Sequence, residues 1–159
     1  MAHGPDLLVI SYGLNDIRGG TGAGLFATET EAIIKAVRQE CSPVIVLPGP
    51  YFMTGFTCGG DRWSHGSQEL FLAFNDLIAG LAAAQDCLFV DLLGGYEEAE
   101  WMVHSDGVHA NDVGHLVVAM RIFEVLAKNC SGLAAHTQSR EKDIPPWRDE
   151  STLRSEYGY

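Results

Sequence analysis

Asp6-Leu7-Leu8-Val9-Ile10-Ser11-Tyr12-Gly13-Leu14-Asn15-Asp16 is a short apolar run, closed by a glycine and followed at once by two side chains able to do chemistry. Its apolarity is continuous rather than alternating, the pattern of a strand covered on both faces within a parallel sheet. Ser11, inside the run, is expected as a core hydroxyl bonded to backbone. Gly13 lets the chain turn sharply and come close to a ligand.

The same pattern recurs downstream. Pro43-Val44-Ile45-Val46-Leu47-Pro48 reads as a second buried strand, its prolines at the ends where no ladder donor is lost, and Leu88 to Leu92 as a third. Between the first two lie a glycine-rich loop, Gly19-Gly20-Thr21-Gly22, and the sequence Thr28-Glu29-Thr30-Glu31. The latter fits a capping box that opens a helix through Ile33, Ile34, Val37 and Cys41. Ser67 is placed to cap a helix with the stripe Leu70, Phe71, Phe74, Leu77, Ile78 and Leu81. Asn111 is placed to cap a last one carrying Val113, Leu116, Val117, Met120 and Phe123.

Strand and helix therefore alternate three times. Parallel strands joined by crossover helices satisfy that order most simply, so the fold class is α/β, a three-layer α/β/α arrangement with helices on both faces. In such sheets the loops after the strand C-termini build the site. Gly13–Asp16 and a second run, Asp106-Gly107-Val108-His109, both belong there and are expected to open on one cleft, beneath the aromatic-rich loop from Gly49 to Gly66. Residues 1–132 are expected to form one domain. Residues 133–159, with Pro145, Pro146, Trp147 and Tyr157, read as an extended tail.

Composition narrows the function. Lys and Arg number 10 against 21 Asp and Glu, a net charge of −11 over 159 residues. Such a surface repels phosphate backbones and anionic membranes, so no nucleic-acid partner is expected. No stretch approaches the roughly 20 apolar residues that span a bilayer, so no membrane span is expected either. No signal peptide is visible, and with Met1 as the true start the cytoplasm is the expected compartment. Cys41, Cys58, Cys87 and Cys130 are widely spaced, with no paired C-x-x-C, and read as free buried thiols.

The chemistry sits in the two runs. His109 can take a proton from a nucleophile and return it to a leaving group. Asp106, three residues earlier, can reach its Nδ1–H, fix the tautomer and stabilise the imidazolium. Asn15 can aim its amide at a developing oxyanion. Trp63 and Trp101 are candidate substrate-binding walls.

Together the runs resemble the SGNH (GDSL-like) hydrolase family. Pro5 to Asp16 is similar to that family's third block, a strand running into G-x-N-D. Asp106-Gly107-Val108-His109-Ala110-Asn111-Asp112-Val113-Gly114-His115 is similar to its fifth, D-x-x-H followed by N-x-x-G-H. The resemblance implies a flavodoxin-like fold and ester hydrolysis through a serine acyl-enzyme. It places His109 as general base, Asp106 as its orienting partner, Asn15 and Gly13 in the oxyanion-hole region, and Asp16 bracing that loop. Implied substrates are small-molecule esters, from short acyl esters and acetylated sugars to lysophospholipids and thioesters. No cofactor is implied. A metal reading of His104, Asp106, His109 and His115 gains nothing, since no i, i+4 histidine pair exists and the resemblance already accounts for Asp106 and His109.

Two blocks of that family, the first with its G-D-S serine and the second with an oxyanion-hole glycine, do not occur. No G-D-S or G-x-S-x-G is present in the 159 residues, and only four residues precede Pro5. The nucleophilic serine and the first strands are therefore expected from outside these residues. The first strand, Asp6 to Ser11, would then be an apolar sheet edge. Homo-oligomerisation or a complementing chain along that edge is expected, with a catalytically inactive binding module as the alternative.

Overall fold

A computed structural model describes residues 4–94, 98–130, 132 and 135. The chain divides into two compact units, Met1–Leu126 and Ala127–Tyr159. The fold below is that of the first unit. The expected tail lies outside the described residues apart from Ala135.

Three strands, β1 (Leu7–Val9), β2 (Val44–Pro48) and β3 (Leu88–Val90), form one parallel sheet in the order β1-β2-β3. Leu8 pairs with Ile45 and Leu47 with Phe89, so the register is continuous across the sheet. The helices are α1 (Leu14–Gly19), α2 (Ala23–Glu40), α3 (Gln68–Ala84) and α4 (Asp112–Asn129). Both crossovers step the same way across the sheet, and a common hand then sends α2 and α3 to one face.

That face holds the larger core. Leu8, Ile10, Ile45 and Leu47 meet Ile34 and Val37 of α2 and Phe71, Phe74 and Ile78 of α3. Phe74 is fully buried, with its ring 5.2 Å from that of Phe26. On the opposite face Val46, Val90 and Leu92 are covered by Val118, Ile122 and Val125 of α4. Ser67 caps α3 as its position suggests, accepting from the Leu70 amide at 3.1 Å.

Three expectations change. The first strand is covered on one face only: Leu7 and Val9, which share the α4 side with Val46, are 42% and 38% exposed. Among the described residues α4 packs on β2 and β3 and leaves this face of β1 partly exposed. Ser11 is exposed, because β1 ends at Val9 and the chain has already left the sheet. Finally, α2 begins at Ala23, so Thr28 is not a cap. Its hydroxyl donates back to the Gly24 carbonyl at 2.9 Å, and the helix extends forward because Phe26 is needed in the core.

Candidate active site

Gly13 has φ +118°, a conformation that favours glycine, and it redirects the chain from β1 into α1. A six-residue helix on Leu14-Asn15-Asp16-Ile17-Arg18-Gly19 has little intrinsic stability. Ile17, with no exposed surface, and the buried Arg18 anchor it, and Asn15 is left on the outer side.

The Asp106–His109 loop is tied more heavily. Asp106 Oδ2 lies 2.7 Å from His109 Nδ1, while its Oδ1 accepts from the amides of Val108 and His109 at 2.9 and 3.0 Å. The His109 hydrogen bond first, and then these two amides, hold the Asp106 carboxyl well below the usual carboxylate range. An ionised Asp106 can only accept, so the proton of neutral His109 sits on Nδ1 and Nε2 is free to act as a base. His109 remains 75% exposed.

The loop's backbone is also held from outside. Gly107, at φ +67°, turns its carbonyl toward the amides of Thr54 and Gly55, both at 2.8 Å. Tyr51 Oη donates to the Val108 carbonyl at 2.9 Å and accepts from the Ala110 amide at 3.3 Å. Asn111 Oδ1 accepts from the Gly114 amide at 2.9 Å, and its Nδ2 donates to the carbonyls of Trp101 and Val103.

Residues 11–16 after β1, residues 49–51 after β2, and Val108 with His109 line one cleft of about 190 Å³. Asn15, Gly13, Asp16 and His109 thus meet as the sequence suggests, with Asp106 behind His109. Trp63 and Trp101 are not among the lining residues: Trp63 lies within about 5 Å of both the Arg18 and Arg62 guanidinium groups, and Trp101 is exposed. A larger cavity of about 520 Å³, lined by Phe52, Phe56, Phe71 and Asn75 among others, contains neither member of the dyad. Arg18 escapes sequence reasoning, and Tyr51, expected only as part of the aromatic-rich loop over the cleft, instead holds the backbone on both sides of His109. The only available signal is that Gly49-Pro50-Tyr51 directly follows a strand, where α/β sites are built.

The sequence model of the GDSL-like lipase/acylhydrolase family matches residues 1–117, a span that includes both motif runs. The chain belongs to that family. Solved structures share its fold. A lipase/acylhydrolase from Enterococcus faecalis superposes with a TM-score of 0.63 at 20% identity, over 77% of this chain and 61% of its own. TesA gives 0.61 at 20% identity, over 77% and 62%. A catalytic mutant of Axe2, an acetylxylan esterase from Geobacillus stearothermophilus, gives 0.59 at 16% identity, over 76% and 59%. This GDSL-like chain therefore spans about three-fifths of the length of the structures it matches. Among curated proteins none matches.

Proposed function

We propose that the chain carries the acid–base and oxyanion half of a serine ester hydrolase of SGNH type. His109 acts as general base, Asp106 orients it, and Asn15, with the Gly13 turn, donates to the oxyanion. Asp16 sits in the first turn of α1 beside them. The observation that carries this reading is the 2.7 Å Asp106–His109 contact in the same cleft as Asn15. In the reaction, His109 Nε2 takes the proton of a serine hydroxyl as the oxygen attacks the ester carbonyl. It then returns that proton to the leaving alkoxide, and a water repeats the sequence on the acyl-enzyme. Lipase/acylhydrolase and acetylxylan esterase neighbours support a small-molecule ester as substrate.

The serine comes from outside these 159 residues, on a strand that extends the sheet beside β1. Fluorophosphonate labelling of the protein as isolated from the cells that make it tests this, read by intact mass and peptide mapping. The expected result is one adduct, on a serine outside residues 1–159, that is lost in His109→Ala. An adduct on Ser11, now known to be exposed in the cleft, would place the nucleophile in this chain. No adduct on a folded protein would sink the hydrolase reading.

A second reading rests on the bare face of β1. Leu7 and Val9, exposed on a sheet edge, favour pairing with another copy of the chain and a binding role without turnover. Molar mass across a concentration series decides it, since a strictly monomeric folded chain rules out self-pairing.

A further inference from the structure

We infer that the connection from Gly49 to Gly66 is a two-ended brace that sets the distance between the oxyanion donor and the base, with Tyr51 and Arg18 as its positioning residues. The inference rests on the site reading above and adds to it the element that holds the two halves in register.

At one end, a single hydroxyl brackets His109. Tyr51 Oη binds the Val108 carbonyl on one side of that residue and the Ala110 amide on the other. Burial pushes the Tyr51 phenol above its ordinary value, so the donor proton is retained through neutral pH. Three residues on, Thr54 and Gly55 present adjacent amides to the Gly107 carbonyl. Gly55 must be glycine for this contact: a Cβ there would lie 2.4 Å from the Asp106 carbonyl oxygen and 2.7 Å from Val108 Cγ2.

At the other end, the connection grips α1. Arg18, one turn beyond Asn15, is buried and donates from Nη2 to the Cys58 carbonyl, and its guanidinium lies 5.0 Å from the centre of the Trp63 ring. The His65 amide returns a bond to the Arg18 carbonyl at 3.2 Å. Gly20 leaves room for the His65 ring, which a Cβ would meet at 2.8 Å. Among the described residues no carboxylate pairs with Arg18. A buried cation without a counter-ion is costly, and an apolar side chain would fill the same space at less expense. The guanidinium therefore points to the link it makes rather than to packing. Within one connection, the first few residues hold the His109 loop and the last few hold the helix of Asn15.

Amide hydrogen exchange on the folded chain tests the brace without relying on turnover. Tyr51→Phe, which removes one oxygen atom, should raise exchange at Val108 to Ala110 by at least about tenfold while leaving residues 14–18 unchanged. Arg18→Met should do the reverse. In the enzyme complete with its serine, each variant should lower kcat about 10- to 100-fold with KM nearly constant. The double variant should lose little more than the worse single one, because both break the same spacing. Should Arg18→Met fail to fold, Tyr51→Phe alone decides. Unchanged exchange, or faster exchange with kcat intact, would overturn the inference. Absent fluorophosphonate labelling alongside the expected exchange would instead remove the hydrolase reading and leave the brace standing.

Discussion

Residues 104–111 and residues 11–16 line the same cleft, yet the first stretch is bonded to Tyr51, Thr54 and Gly55 and the second is held by the backbone of α1 and by Arg18. Among the described residues, the side chains of Ser11, Tyr12, Asn15 and Asp16 make no hydrogen bond. The Asp106–His109 pair is preassembled and the Asn15 side is open. The open side is also the side of the less covered strand: β1 is a sheet edge, and among the described residues no helix covers Leu7 and Val9. A parallel sheet is ordinarily covered on both faces. The less braced side of the cleft and the less covered part of the fold are thus one stretch of chain, and on the proposed function one added strand with its helix would complete both. The exposed stripe Val113, Leu116, Met120 and Phe123 on α4 gives such a helix an apolar surface to meet.

The largest expected effects test whether both halves serve one reaction. His109→Ala should remove ester turnover by roughly 10⁴-fold or more, with the melting curve intact. Unchanged turnover would separate the dyad from catalysis. Asn15→Ala should lower kcat by about 10²–10³-fold, the effect of losing one oxyanion donor, with little change in KM. A loss confined to KM would make Asn15 a substrate-binding residue, and the two loops would then no longer share a transition state.

Stability variants probe the difference in bracing. Gly55→Ala forces a methyl against backbone that is itself tied on both sides, so a loss of about 2–3 kcal/mol is expected in thermal or urea unfolding. Gly13→Ala meets only side-chain carbons, the nearest at 3.5 Å, so its penalty is the positive φ, about 1 kcal/mol or slightly more. A larger loss at Gly13 than at Gly55 would mean that the oxyanion turn, not the base loop, is the rigid element.

What could be read in advance divides along the same line. β2 is legible because its apolar run is continuous and ends in prolines, and the caps Ser67 and Asn111 are legible because capping is local chemistry. Asp106 and His109 find each other three residues apart, within a single loop. By contrast, α1 carries no periodic signal over six residues, and it forms because the rest of the fold buries Ile17 and Arg18. The bond from Tyr51 to Val108 spans 57 residues and leaves no pattern in sequence. The bare face of β1 is invisible for a related reason: an apolar run records that a strand can be covered, not that a helix is present to cover it.

The smallest expected effect comes from acid. Asp106 is held below its ordinary range by the His109 ring and two amides, so its bonds stabilise the loop at any pH above the unfolded carboxylate value near ~4. That contribution is lost as pH falls through that value toward the lower folded one, and raising pH above it adds nothing. Both partners are exposed, so solvent screening keeps the effect slight. Amide shifts at Val108 and His109 should show a movement from protonation of Asp106 that sets in only below about pH 4. Asp106→Asn should abolish that movement and, in the complete enzyme, favour the wrong His109 tautomer. If the amides of residues 14–16 move in step with those of 108 and 109, the two stretches respond as one body, and an added strand would find the oxyanion loop already set.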